Sequence, residues 1–286
     1  MTYKQTPDDL PDKLPKLPDE LPDDEPKNLP PGSSHHRAFV GPPKKYDLVS
    51  AMQFNLLTFL GLRENHFLLD IGCGSLRGGR LFITYLLTGR YFAIEPNQRL
   101  IEEGIKNELG GHLIDIKQPV FSNDPNFTLS AFNQKFDFIM AQSIFSHASV
   151  PQIRRCLAEA KKVMKPASIF AATFVKGEKN YEGGVWVYPG CVTYTFEFFK
   201  SLVEEHGLAC KRLEWPHPTA QTWVVIVNPG NEDNIPDIGS ITDLLRLKNE
   251  LISCKDKLSK IEGRPYVKLG VWIEKSVKRI RRRKKK

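Results

Sequence analysis

The sequence predicts an α/β fold: a doubly wound, mostly parallel sheet with helices on both faces and a final antiparallel strand. Three observations predict it. From residue 46 onward, short apolar runs alternate with helical patterns, the order that builds a parallel sheet. A glycine-rich turn stands between the first apolar run and the helix after it. At the end, two strand-like runs, ACKRLEW (209–215) and QTWVVIV (221–227), follow each other with no helix between them.

Each element has its own signal. YDLVSAMQFNLLTFLGL (46–62) has apolar residues at helical spacing and stops at Gly61, a helix. FLLDIG (67–72) is a buried strand ending in glycine, and SLRGGRLFITYLL is a turn and then a helix. YFAIE (91–95) is the second strand. Pro96 opens the helix NQRLIEEGIKNEL, since proline suits a first helical turn. The third strand is poorly patterned. FDFIMA (136–141) is a strand, VPQIRRCLAEAKKVM (150–164) a helix and SIFAATFV (168–175) a strand. YTFEFFKSLVEEHGL (194–208) is a helix stopped by Gly207.

The flanks differ from this body, which we place at residues 44–229. Residues 1–43 hold ten of the 21 prolines, and proline blocks helix interiors, so the spaced leucines there predict a disordered acidic arm. The pair His35–His36 with Arg37 reads as surface linker. Residues 230–286 predict helices and a basic tail. Leu244, Leu247, Leu251, Cys254, Leu258 and Ile261 alternate by three and four, a short coiled-coil seam. It serves either homo-oligomerisation or packing back on the body. Leu269, Trp272, Ile273, Val277 and Ile280 share a helical face ahead of nine Lys/Arg in 275–286. Residues 268–286 therefore fit a peripheral helix on an anionic membrane surface. Nucleic-acid binding, a plain solubilising end and a nuclear-import signal are the rivals. The net charge of +8 is accounted for by that tail: residues 1–36 carry −4 and the rest about +3, so the body is nearly neutral.

Composition excludes several classes. With 41% hydrophobic residues in 286, the chain can build one sizeable core. No apolar run is long enough to span a bilayer, and the N-terminus lacks the apolar stretch of a secretory signal. Five scattered cysteines without CxxC argue against disulfides and against a zinc site; no metal is expected. A cytoplasmic location, with the inner membrane face as its margin, is the expectation.

The sharpest signal is LLDIGCGSLRGG (68–79). Its glycines let backbone approach a ligand, and the following helix offers free N–H groups. The next strand ends in Glu95, an acid placed to accept both ribose hydroxyls. A nucleoside-bearing cofactor therefore lies across the strand C-termini. The dinucleotide fingerprint fails because Arg77 stands where its last glycine belongs, and no GK[ST] supports a P-loop. Asp70, two residues before Gly72, suits a cationic amino-acid end better than a pyrophosphate. Together these favour S-adenosylmethionine.

LLDIGCGSLRGG, AIEPN and FDFIMAQSIFSH together resemble the class I, seven-stranded, Rossmann-like S-adenosylmethionine-dependent methyltransferases over most of 44–229. The stretch from residue 46 through the glycine loop also resembles bacterial methyltransferases described only by class. The resemblance implies that Asp70, Gly72, Cys73 and Gly74 cradle the methionine end and that Glu95 binds ribose. Asp124, with Asn123 nearly as good, would meet the adenine amine. Arg77 departs from the small residue common in the family; it either meets the cofactor carboxylate or is solvated.

Methyl transfer needs donor and acceptor in line and, for a hydroxyl, a base. AQSIFSH (141–147) follows the fourth strand and places Gln142 toward the cofactor, Ser143 toward the acceptor and His147 as the base or as a helix cap. The sequence AQSI replaces the [DN]PP[FYW] of enzymes acting on exocyclic amines, which favours an oxygen acceptor. Tyr188 and Tyr194, in YEGGVWVYPGCVTY (181–194), form a loop over the acceptor or a packed hairpin. His217 is a second-choice base. Tyr46 and Gln53 lie on a helix that would lid the cofactor. The expected activity is O-methylation of a small molecule or saccharide, a lipid-linked one included. An RNA-directed methyltransferase and an inactive methyltransferase-fold scaffold are the alternatives.

Overall fold

The computed structural model describes residues 28–236 and residue 253. Strands β1 (Leu68–Ile71), β2 (Tyr91–Ile94), β3 (Val120–Ser122), β4 (Phe136–Ala141) and β5 (Met164–Lys176) are joined by β6 (Thr193–Tyr194), β7 (Ala209–Leu213) and β8 (Thr222–Val227). They form one sheet in the order β3-β2-β1-β4-β5-β8-β7, and the two-residue β6 pairs with the end of β5. All pairings among β1 to β6 are parallel. β8 runs antiparallel to both β5 and β7. The predicted mostly parallel sheet with a final antiparallel strand is what forms; β6 is an addition too short to have a pattern.

Helices α1 (His36–Phe39), α2 (Tyr46–Phe59), α3 (Gly79–Tyr85), α4 (Gln98–Gly104), α5 (Gly111–Lys117), α6 (Val150–Val163) and α7 (Phe196–Glu204) complete the body. The central strands β1, β4 and β8 are buried on both faces, which is why they read as near-continuous apolar runs. One core joins Leu69, Ile139, Val224 and Ile226 to Ile153, Leu157, Phe199 and Leu202, the apolar stripes of α6 and α7. The other joins Leu68, Met140, Trp223 and Val225 to Leu56, Leu57, Phe82 and Ile83 of α2 and α3. Each fully buried aliphatic or aromatic side chain contributes about 1.5–3 kcal/mol relative to exposure. Local signals set the ends: Thr195 accepts from the Phe198 N–H to start α7, and Gln152 accepts from the Ser149 N–H to start α6.

Two expectations need correction at the flanks. Residues 28–43 are part of the folded body. His36 is buried, and its Nε2 donates to Glu108 Oε1 at 2.9 Å; Arg37 Nε donates to the same oxygen at 2.7 Å. A surface linker would not bury His36 or tie Arg37 to Glu108. At the other end, Ile235 is buried in the second core, so the body continues past 229 to residue 235 at least. The third strand is real but has only three residues at the sheet edge, which explains its weak pattern. Residues 1–27, the heptad seam 244–261 (except residue 253) and the basic tail 268–286 lie outside the described residues. Among the described residues no helix is long and apolar enough to cross a membrane, and no group of three or more His, Cys, Asp and Glu could hold a metal.

Candidate active site

Parallel pairing aligns the C-terminal ends of β1, β2 and β4, where Asp70 faces Ala93 on one side and Met140 on the other. The loops that leave those ends enclose a cavity of about 420 Å³. Open α/β sheets bind ligands at this edge.

One wall is built mainly from backbone. Gly72 and Gly74 have φ of +70° and +54°, and a Cβ on Gly72 would lie 2.0 Å from Ile144 Cδ1. Only glycine fits both the conformation and the space. Glu95 accepts from the Gly74 N–H at 3.0 Å through Oε2 and from the Asn97 N–H at 2.9 Å through Oε1. Burial raises its pKa, and those two amides oppose the rise. Each oxygen keeps a lone pair for a further donor. Asp124 lines the same wall and accepts from the Thr128 N–H at 2.6 Å. Burial works against its charge, but bonds from Thr128 and Asn126 hold its pKa below the ordinary value.

The other wall is built from side chains that meet across the fold. Gln142 lies at its centre. Its Oε1 accepts from Gln53 Nε2 at 2.8 Å and from Arg77 Nη2. Its Nε2 donates to Ser143 Oγ at 2.6 Å and lies 3.0 Å from His217 Nε2. His217 Nδ1 accepts from the Thr219 and Gln221 backbone N–H groups at 3.2 and 3.4 Å and lies 3.1 Å from Thr219 Oγ1. Burial, with the charges of Arg77 and Lys45, lowers the His217 pKa to about 4. Ser143 also accepts from Gln221 Nε2 at 2.8 Å, and its N–H donates to Thr173 Oγ1 at 2.7 Å.

His147 closes the cavity between these walls. Its Nδ1 lies 2.9 Å from the Val187 carbonyl and 2.7 Å from that of Gly190. Carbonyls only accept, so Nδ1 bears the proton and Nε2 is the free base nitrogen of the neutral ring. Burial lowers its pKa below the ordinary value, with the two carbonyls partly offsetting. Trp186 and Tyr188 pack on the ring at 5.5 and 5.1 Å and line the cavity with it. The N-terminal segment supplies a further wall: Phe39 packs on Tyr188 at 5.3 Å, and Val40 lies over Gly74. The segment is held by Glu108, whose carboxylate takes Arg37, His36 and Arg80.

Of the expected site residues, Gly72, Gly74, Glu95, Asp124, Gln142, Ser143, His147 and Tyr188 line the cavity together. Four do not. Asp70 lies beneath the loop, accepting from Tyr91 OH at 2.7 Å; burial is the main cause that raises its pKa to about 6. Cys73 is buried, and burial pushes its thiol pKa far up. Tyr194 is wholly buried, donating to the Ala148 carbonyl at 2.8 Å, a packing role. His217 acts behind Gln142. Sequence reasoning missed Phe39 and Val40, because the proline count assigned them to an arm; Trp186 lines the cavity from the aromatic loop 181–194 that was expected over the acceptor.

Residues 69–172, from β1 into β5, match the family model of a methyltransferase domain. The chain therefore carries a methyltransferase domain. Its fold is similar to the mitomycin 7-O-methyltransferase MmcR, at 18% identity and TM-score 0.52 over 68% of this chain and 56% of that one. An S-adenosylmethionine-dependent methyltransferase from Clostridium acetobutylicum shares 12% identity over 65% of this chain and 92% of its own, at TM-score 0.49. DesVI from Streptomyces venezuelae shares 12% over 66% and 94%, also at 0.49.

The methyl donor of this class is S-adenosylmethionine, and the methyltransferase's cavity fits it. Two glycines without room for a Cβ border the cavity, Glu95 has spare acceptor capacity, and the wall between is apolar at Ile94, Leu100 and Phe127. Glu95 would take the ribose hydroxyls, and Asp124 with its neighbours the adenine edge.

Proposed function

We propose that this methyltransferase methylates an oxygen of a small-molecule or saccharide acceptor, with His147 as the general base. When bound, the donor supplies a sulfonium methyl group open to in-line attack. The observation that carries the reading is the tautomer of His147. Its proton is committed to the Val187 and Gly190 carbonyls, which leaves Nε2 unprotonated in a cavity wall shared with Trp186 and Tyr188. A neutral imidazole near pH 7 can take a hydroxyl proton as the oxygen attacks. The aromatic faces beside it suit a ring or a sugar. AQSI at 141–144 lacks the residues that grip an exocyclic amine.

The test is His147→Gln and His147→Ala, assayed with labelled donor against panels of phenols, saccharides and amines. S-adenosylhomocysteine affinity should stay within about threefold, while turnover of a hydroxyl acceptor falls by about 10²–10⁴, the usual worth of a general base. Turnover in the native chain should rise with pH through a pKa below 6.5, because lowered pKa keeps the base free to more acidic pH. Unchanged turnover in both variants would remove the base role. Amine-only turnover would overturn the oxygen reading.

A further inference from the structure

The hydroxyl proton of Ser143 has no acceptor among the described residues. The amides around it are oriented by partners that have no choice. Gln142 Oε1 takes Arg77 Nη2, and a guanidinium only donates, so the Gln142 amide nitrogen faces Ser143 Oγ at 2.6 Å. Thr173 is wholly buried, and its Oγ1 accepts from the Ser143 N–H at 2.7 Å. A buried hydroxyl proton needs a partner, so that of Thr173 goes to Gln221 Oε1 at 2.7 Å. This turns Gln221 Nε2 toward Ser143 Oγ at 2.8 Å. Two N–H groups therefore fill both lone pairs of Ser143 Oγ, and only its O–H is left to give. Ser143 is half-buried and lines the cavity. Its backbone sits at φ +59°, a left-handed conformation that is strained for serine and held by this network. Elsewhere in the cavity the Tyr188 hydroxyl is buried and unpartnered too, so a ligand there meets polar groups and not aromatic faces alone.

We infer that Ser143 is a fixed hydrogen-bond donor to the acceptor molecule, and that it selects acceptors carrying a second oxygen beside the hydroxyl that is methylated. Ser143 gives a proton to one ligand oxygen, and His147 Nε2 takes a proton from the other. The two residues flank a tight turn in which the His147 N–H donates to the Ile144 carbonyl at 3.1 Å, so they suit two ligand oxygens on adjacent carbons. The inference rests on the reading of this cavity as an O-methylation site with His147 as base. It adds the substrate class: a vicinal diol, or a phenol with an oxygen in the ortho position.

The test uses the full chain, labelled S-adenosylmethionine and two pairs of probes. 2-Methoxyphenol and 2-ethylphenol match in size and differ by an ether oxygen against a methylene. 2-Methoxyaniline and 2-ethylaniline repeat that difference on an amine. The native chain should prefer 2-methoxyphenol by about tenfold or more in kcat/KM, because the ethyl compound leaves the Ser143 proton unpaired. Ser143→Ala should bring this ratio near one, with S-adenosylhomocysteine affinity within about twofold of native. Thr173→Val keeps the shape but frees Gln221 to turn its Oε1 to the Ser143 proton. It should shrink the ratio about threefold with Ser143 still in place, and it decides the matter if Ser143→Ala does not fold. A purely structural Ser143 would slow both phenols alike and leave the ratio intact. A native ratio near one, or a ratio that survives either substitution, overturns the inference and leaves the oxygen reading standing. Idleness of all four probes in a chain that binds S-adenosylhomocysteine overturns it as well. If only the anilines are methylated and the methoxy preference holds, the oxygen reading falls while the donor role of Ser143 stands.

Discussion

The two walls of the cavity are held in different ways. On the nucleoside side, Glu95 is fixed by amides 2 and 21 residues away, and the glycine loop is fixed by its own backbone angles. On the acceptor side, Arg77, Gln53 and His217 reach partners 37 to 89 residues away, and every bond involves a side chain. The first wall needs only a strand, a turn and a helix in sequence. The second exists only when α2, β4, β5 and the β7–β8 turn have all docked. Under the proposed function the first wall takes the methyl donor and the second faces its acceptor.

Breaking the first wall should have the largest effect. Glu95→Ala removes the ribose acceptor and leaves the Gly74 and Asn97 amides without their partner. Bonds to a charged group are worth roughly 1.5–3 kcal/mol each, so S-adenosylhomocysteine affinity should fall about a hundredfold or more. Calorimetry checks it; a loss under threefold would mean that Glu95 only braces the loop. Breaking the second wall should cost stability first. Gln142→Leu strips Gln53 and Arg77 of an acceptor and His217 of a polar partner in a buried setting. A loss of about 2–4 kcal/mol is expected, a fall in Tm of roughly 4–16 °C for a body of this size. A Tm within 2 °C of native would show that water replaces Gln142 at no cost.

The same contrast decides what was legible in the sequence. Glu95 and the two glycines could be found because their roles depend on spacing along one βαβ unit. Asp70 belongs to that motif too, yet its side chain lies under the loop against Tyr91, a face that spacing cannot assign. Arg77 was visible as a departure, but its acceptors sit on distant segments, so nothing local separated a buried hub from a solvated side chain. His147 was found from its place after β4, whereas its tautomer follows from two carbonyls 40 and 43 residues downstream. Phe39 and Val40 were lost because proline density was extended to residue 43, while the packing begins by residue 36.

A smaller effect sets the two walls against each other through pH. Asp70, buried beneath the first, has a pKa raised to about 6 from 3.8, mainly by burial. A raised folded pKa gives stability that is complete below the unfolded pKa and lost as pH rises through about 6. His217, behind the second, is lowered from 6.5 to about 4, again mainly by burial. Its contribution is complete above 6.5 and lost as pH falls through about 4. Between pH 4 and 6.5 the two oppose each other, each by about 1–3 kcal/mol at about 1.4 kcal/mol per pKa unit. Relative to native, Asp70→Asn should make Tm climb more steeply with pH across this window, and His217→Gln should make it climb less. Parallel curves in thermal melts of all three proteins would contradict both assignments.

The smallest effect on the fold should come from Trp186, yet it isolates the acceptor side. Its side chain is 39% exposed and rests on the His147 ring at 5.5 Å. The loop that carries it does not depend on that contact. The Val187 N–H donates to the His147 carbonyl at 2.9 Å, the Val192 N–H to the Ser146 carbonyl at 2.8 Å, and His147 holds two carbonyls in return. Trp186→Ala should therefore change stability by no more than about 0.5 kcal/mol, as for an exposed position. It should leave S-adenosylhomocysteine affinity unchanged, since the nucleoside wall is untouched. Loss of an aromatic face over a ring acceptor should raise the acceptor KM about three- to tenfold, with kcat held near native because His147 stays in place. A fall in kcat with constant KM would instead make Trp186 a brace for the His147 ring, and the aromatic platform would then belong to Tyr188 alone.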